Sequence, residues 1–179
     1  LSPTLHNYWF EKYKIDANYS IIEIETNELP NLINRIKDKD LIGINITLPY
    51  KQKIVPHIDV LINDAEITSS VNTVFLDDKG TIVGENTDVF GLQAAYLKEV
   101  DNISRRNALV IGAGGVSPSV ILSLEKCGVK NISIANRTED KCIFLKKKFK
   151  YLNIINWSNL KKIGRAHVWT PVTDVSRMP

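Results

Sequence analysis

Residues 108–115, Ala-Leu-Val-Ile-Gly-Ala-Gly-Gly, limit the possible folds more than any other stretch of this chain. Four apolar residues in succession, with no polar alternation, read as a strand covered on both faces, which is the habit of parallel sheets. Glycines directly after such a strand, followed by a helical stripe over 119–126, predict a strand, a tight turn and a helix. A strand over 131–135, a helix over 139–149 and a short strand over 152–155 extend this to a βαβαβ series. That order belongs to a Rossmann-like half-sheet.

The glycine turn carries chemistry as well as shape. Gly112, Gly114 and Gly115, with Ala113 and Val116 between turn and helix, let the backbone approach a pyrophosphate, and the helix N-terminus offers amide donors and a positive dipole. Ser117-Pro118 stands where the third glycine of G-x-G-x-x-G is expected, so the match is partial, and a glycine-rich turn without a ligand is the alternative. The second strand ends in Asn136-Arg137-Thr138. An NAD site places a carboxylate there for the ribose 2′-hydroxyl; an arginine beside a hydroxyl suits a 2′-phosphate and favours NADP. Asn136 and Thr138 also suit a cap for the helix that follows, and the two roles are compatible.

The first hundred residues have a different style. Gly43-Ile-Asn-Ile-Thr-Leu-Pro-Tyr-Lys51 alternates with period two, which predicts a strand with Ile44, Ile46 and Leu48 on a core face and Asn45 and Thr47 on the other. Pro49 ends it and suits a helical turn that swings Lys51 above the polar pair. Ser2-Pro3 reads as an N-cap and first helical residue for a helix over 1–15, followed by a strand over 19–25 and a helix over 28–39. A helix over 58–67, a hairpin of 71–76 with 81–83 turned at Asp77-Asp78-Lys79-Gly80, and a helix over 89–100 complete this part. The chain is thus expected to be α/β, with a small α/β domain of mixed sheet over 1–100 and a partial dinucleotide-binding domain over 101–162.

Bulk properties exclude little. A formal net charge of +3 does not call for nucleic acid, and Lys146, Lys147, Lys148 and Lys150 read as the wet face of a helix without interleaved aromatics. Cys127 and Cys142, the only cysteines, make neither a disulfide framework nor a zinc site, so no metal is expected. No apolar run is long enough for a membrane span and no signal peptide opens the chain, so a cytoplasmic location is expected. After Lys162 the Lys/Ile/Asn-rich composition changes abruptly. Residues 163–179 lack amphipathic period and are expected to be a translated adapter or cloning scar, His167 and Trp169 included.

Taken alone, Asp88 in Gly84-Glu-Asn-Thr-Asp-Val-Phe-Gly91 is a first-turn helix carboxylate, and Asn72 in Ser70-Val-Asn-Thr73 is a turn residue. Together, GINITLPYK, SVNT, GENTD and GAGG followed by NRT, in this order and after an opening Leu-Ser-Pro-x-x-His-Asn, resemble the shikimate dehydrogenase family over residues 1 to 160. The resemblance implies a substrate-binding and catalytic domain over 1–100 joined to a partial NADP-binding Rossmann domain over 101–162, with 3-dehydroshikimate or shikimate in the cleft between them. It implies that Ser2, Asn45, Thr47, Asn72 and Asp88 hydrogen-bond the substrate, and that Lys51 and Asp88 form the catalytic pair. Ketone reduction by hydride builds negative charge on oxygen, which an ammonium stabilises and then protonates, so a charged Lys51 suits an acid and alkaline pH should favour the reverse oxidation.

The chain departs from the family at both ends. The family's preceding strand, the first serine of its Ser-x-Ser-Pro element, the second half of its Rossmann sheet and a late substrate-binding glutamine are missing. The expectation is a chain cut at both ends, inactive by itself, whose parent is a monomer or homodimer without nucleic-acid or membrane partners. Its alternatives are an NAD-using quinate/shikimate dehydrogenase paralogue and a non-catalytic nucleotide-binding protein of the same fold.

Overall fold

The computed structural model describes residues 1–162; the tail expected to be a cloning scar lies outside them. Helix α1 (Ser2–Tyr13) is followed by an extended stretch, helix α2 (Leu29–Lys37), strand β1 (Gly43–Asn45), strand β2 (Val60–Leu61) and the short helix α3 (Asp64–Thr68). Strands β3 (Thr73–Leu76) and β4 (Ile82–Glu85) form the expected hairpin, with Asp77 N–H donating to Thr81 O, and lead into helix α4 (Asp88–Ala95). Strand β5 (Asn107–Ile111), helix α5 (Ser117–Lys126), strand β6 (Asn131–Ala135), helix α6 (Glu139–Lys148) and strand β7 (Asn153–Ile154) follow. Two sheets result.

The first sheet is mixed, in the order β1-β3-β4-β2; β1 and β4 run antiparallel to β3, and β2 runs parallel to β4. Leu29, Leu32, Ile33 and Ile36 of α2 are buried at helical spacing, and all but Leu32 join one core with Ile46, Ile54, Val71, Val74 and Ile82. The second sheet is parallel, in the order β5-β6-β7, as the unalternating run at 108–111 predicts. Val110, Ile132 and Ile134 are closed over by Val120, Ile121 and Leu124 of α5 and by Cys142 and Leu145 of α6. Val89 of α4 belongs to this second core although it leaves the first sheet only four residues earlier, so α4 is the joint. No helix among the described residues is long and apolar enough to cross a membrane.

Several expectations need correction. Residues 19–25 alternate like a strand but join no ladder among the described residues: β1 pairs only with β3 there, and residues 18–24 line, together with residues 43–50, a groove of about 460 Å³. Alternation needs a neighbouring backbone before it becomes a strand. Residues 58–67 form β2 and α3 rather than one helix. Ile58, Leu61, Ile62 and Ala65 have helical spacing, but Val60 and Leu61 pair with Val83 and Gly84, and Asn63 at φ 53 interrupts the run. The ladder of 43–48 ends at Asn45, and Leu48 leaves the core face at 42 % exposure. Ser2 is the first residue of α1, with Leu1 in the cap position. The helix expected over 89–100 ends at Ala95 and is followed by a single tight turn at Leu97–Glu99.

Candidate active site

The register of the first sheet assembles the polar half of the site. Gly43↔Phe75 and Asn45↔Thr73 are β1–β3 partners, and the ladder is carried one bond further where Ile46 N–H donates to Asn72 O at 2.8 Å. Asn72 N–H in turn donates to Glu85 O at 3.0 Å, so the strand ends carrying Asn45, Asn72 and Thr87 lie side by side. Asn45 Nδ2 donates to Thr73 Oγ1 at 3.2 Å, and Tyr19 O–H donates to Asn45 Oδ1 at 3.0 Å. Asn72 Oδ1 accepts the Thr87 backbone N–H at 3.0 Å.

Lys51 is drawn into this cluster by its own backbone, whose carbonyl accepts the Val71 N–H at 2.8 Å. Its Nζ lies 2.6 Å from Asp88 Oδ2, with side-chain exposures of 11 % for the lysine and 25 % for the aspartate. Asp88 Oδ1 accepts Asn72 Nδ2 at 2.9 Å, so each carboxylate oxygen has its own donor. Burial of this kind is tolerable because the charges meet each other and Asn72 serves the second carboxylate oxygen. Lys51 makes no other side-chain hydrogen bond among the described residues, which leaves two ammonium protons for a ligand oxygen.

The glycine turn lies across the joint. Gly112 has φ +105, a conformation an L-residue adopts only under strain, and its N–H donates to Ala135 O at 2.8 Å. Asn136 Oδ1 accepts the Ala113 N–H at 3.2 Å, and Ser117 Oγ donates to Gly112 O at 2.9 Å, so the loop is braced from β6 and from the first turn of α5. A side chain at Gly114 would meet open space. Beside Gly114 and Gly115 lies a cavity of about 330 Å³, shared with Gln52, Asp140, Lys141 and Phe144. Leu48 Cδ2 reaches the same loop, 3.2 Å from where a Gly115 Cβ would stand, so the lysine-bearing turn and the glycine turn are neighbours.

Of the residues singled out from sequence, Lys51, Asn45, Asn72 and Asp88 fall in one hydrogen-bonded neighbourhood. Gly112, Ala113, Gly114, Gly115 and Val116 form the turn into α5, and Asn136 braces it. Thr138 caps α6 by position, without a side-chain cap bond, and its carbonyl accepts Asn136 Nδ2. Arg137 is exposed and unpartnered among the described residues. Ser2 and Thr47 are exposed and make no side-chain hydrogen bond among the described residues, and none joins Lys51 to Asn45 or Thr47. Sequence reasoning missed Tyr19, Thr73, Thr87, Asn86 and Lys141. Thr73 and Thr87 stand inside quoted motifs, and Lys141 is a cation one helical turn past Thr138; Tyr19, 26 positions from Asn45, gives no local signal.

Three comparisons bear on this arrangement. Residues 1–74 match the shikimate dehydrogenase substrate binding domain, and residues 94–168 match the shikimate / quinate 5-dehydrogenase family. The chain is 44% identical over 157 residues to the shikimate dehydrogenase (NADP(+)) of Pelagibacter ubique, covering 88% of this chain and 59% of that protein. Among solved structures, shikimate dehydrogenase from Aquifex aeolicus superposes with a TM-score of 0.82 at 34% identity, covering 90% of this chain and 60% of that one. The shikimate 5-dehydrogenase of Thermus thermophilus, in complex with NADP(H) and shikimate, gives a TM-score of 0.77 at 27% identity, with 90% and 60% covered. The chain therefore spans about three fifths of the length of these relatives. With two successive domain families matched in order and a solved shikimate dehydrogenase superposing over 90% of the chain, the chain belongs to the shikimate dehydrogenase family.

Proposed function

We propose that the protein carrying this chain reduces 3-dehydroshikimate to shikimate with NADPH, using Lys51 and Asp88 as its acid–base pair. The observation that carries this reading is the 2.6 Å ion pair, flanked by Asn45 and Asn72, on a turn whose Leu48 reaches the glycine turn. When bound, NADPH supplies the hydride. The residues present fit that cofactor: the open space at Gly114 admits a pyrophosphate, the α5 N-terminus faces it, and Arg137 with Lys141 offers cations for a 2′-phosphate. Lys51 Nζ stabilises the carbonyl oxygen as charge develops and gives it a proton, completing the alcohol, and solvent returns that proton to the amine. Asp88 holds the ammonium in place and accepts from a substrate hydroxyl. Asn45, Asn72, Thr47 and Ser2 serve the remaining hydroxyls and the carboxylate, since a polyol needs paired polar groups rather than an apolar pocket.

In this reading residues 1–100 are the substrate-binding and catalytic domain and 101–162 part of the dinucleotide domain, with α4 shared through Val89. The chain by itself is taken to be inactive, because an apolar groove of about 540 Å³ lined by Leu92, Leu97, Ile103 and Leu109 runs open along β5. The test is an initial-rate assay of the full reading frame with NADPH or NADH and with dehydroshikimate or dehydroquinate. Preference for NADPH and dehydroshikimate is expected. Preference for NADH would refute the role given to Arg137, and absence of turnover with every pair would refute the activity.

A further inference from the structure

Asn86 takes no part in the chemistry described above, yet it is 2 % exposed and no buried side-chain polar atom among the described residues lacks a partner. Its Nδ2 lies 2.9 Å from Ser70 O, 2.9 Å from Ser119 Oγ and 3.1 Å from Thr68 Oγ1. Its Oδ1 accepts the backbone N–H of Asp88 at 3.0 Å. One amide thus ties the end of α3, the first turn of α5 and the residue bearing the site's carboxylate. A second tie runs parallel, because Ser123 Oγ lies 3.1 Å from Val89 O. The backbone on both sides of Asp88 is held by the helix whose N-terminus receives the glycine turn.

We infer that Asn86 is a positioning residue: it sets the Asp88 carboxylate against Lys51 and ties that setting to the seat of α5 through Ser119. A buried amide suits this task because each of its bonds has a fixed direction and losing one leaves an unpaired polar group. Asp88 opens α4, where the first N–H groups have no helical acceptor, so the Asn86 Oδ1 bond supplies the one that orients its backbone. The kinetic part of the inference rests on the acid–base reading above, whereas its geometric part does not.

The test compares Asn86→Ala, Asn86→Ser and Ser119→Ala in the full reading frame, by crystal structure and by initial rates of dehydroshikimate reduction. In Asn86→Ala and Ser119→Ala the Lys51 Nζ to Asp88 Oδ2 separation is expected to open beyond about 3.5 Å. The rate constant kcat should fall about tenfold or more, with KM for NADPH within about twofold, because misplacement of a reacting group acts on the chemical step. Asn86→Ser, whose hydroxyl reaches the Asp88 N–H, should recover part of the loss. If Asn86→Ala does not fold, Ser119→Ala reads the same separation with a residue that suits a helix interior. A pair still at its original separation, with kcat unchanged while Tm drops, would overturn the inference and leave Asn86 a brace. If the parent protein shows no turnover, the acid–base reading fails by itself and the separation alone decides whether Asn86 positions Asp88.

Discussion

Lys51 has one of its three ammonium protons committed to Asp88 and the others uncommitted among the described residues, which is what an acid for a carbonyl oxygen requires. Lys51→Ala in the full reading frame is expected to lower kcat by about 10²–10⁴-fold with a smaller change in KM, measured by initial rates. At the same scale, Asp77 accepts the Thr81 and Lys79 backbone N–H groups, and these bonds hold its carboxyl below the usual range. A depressed carboxyl stabilises the fold above its unfolded-state pKa and loses that contribution as pH falls through its folded value. The stability difference between the parent chain and Asp77→Ala should therefore be constant near neutrality and shrink below about pH 4, in thermal unfolding followed against pH. The motifs around Lys51, Asn45, Asn72 and Asp88 were legible because each packs polar residues into a few positions. Asn86 sits inside one of those motifs, yet its partners Thr68, Ser70 and Ser119 are 16 to 33 positions away, a relation only folding reveals.

Elements were read correctly where local pattern and tertiary pairing agreed. The run at 108–111 became a parallel strand because β6 pairs with it residue for residue, from Ala108↔Ile132 to Ile111↔Ala135, and the Asp77–Gly80 turn closed a hairpin because Gly80 takes φ +80. They were misread where pairing decided. Ile58, Leu61, Ile62 and Ala65 show helical spacing, yet β4 recruits Val60 and Leu61 as a parallel strand, and sheet pairing overrides a weak local preference. Two glycines test the geometry at this scale. A Cβ at Gly43 would stand 2.8 Å from Val74 O on the neighbouring strand, so Gly43→Ala should cost about 1–3 kcal/mol of stability in denaturant unfolding. Gly112→Ala meets no atom but must hold φ +105, so it should cost about 1–2 kcal/mol and weaken NADPH binding in calorimetry.

At the scale of the molecule there are two separate cores, α4 leads from the first sheet into the second core, and the polar site lies where the ends of the first sheet approach the glycine turn of the second. Both the buried amide of Asn86 and the partly exposed pair Lys126–Asp64, 2.5 Å apart, cross this joint. Because a partly solvated ion pair contributes about 0–1 kcal/mol, Lys126→Ala should barely move Tm or turnover, in contrast to Asn86→Ala. That a mixed sheet precedes a parallel one was legible from the change between alternating and unbroken apolar strands. The closeness of Leu48 to Gly115, and hence of the lysine turn to the glycine turn, was not, since it depends on how the two sheets are set against each other. The central claim is that Lys51 and Asp88 act as one unit in hydride transfer, and a double-mutant cycle of kcat for Lys51→Ala and Asp88→Asn tests it most directly. The account predicts that the double variant loses little more than the worse single variant. Losses that multiply, or single variants with undiminished kcat, would contradict it.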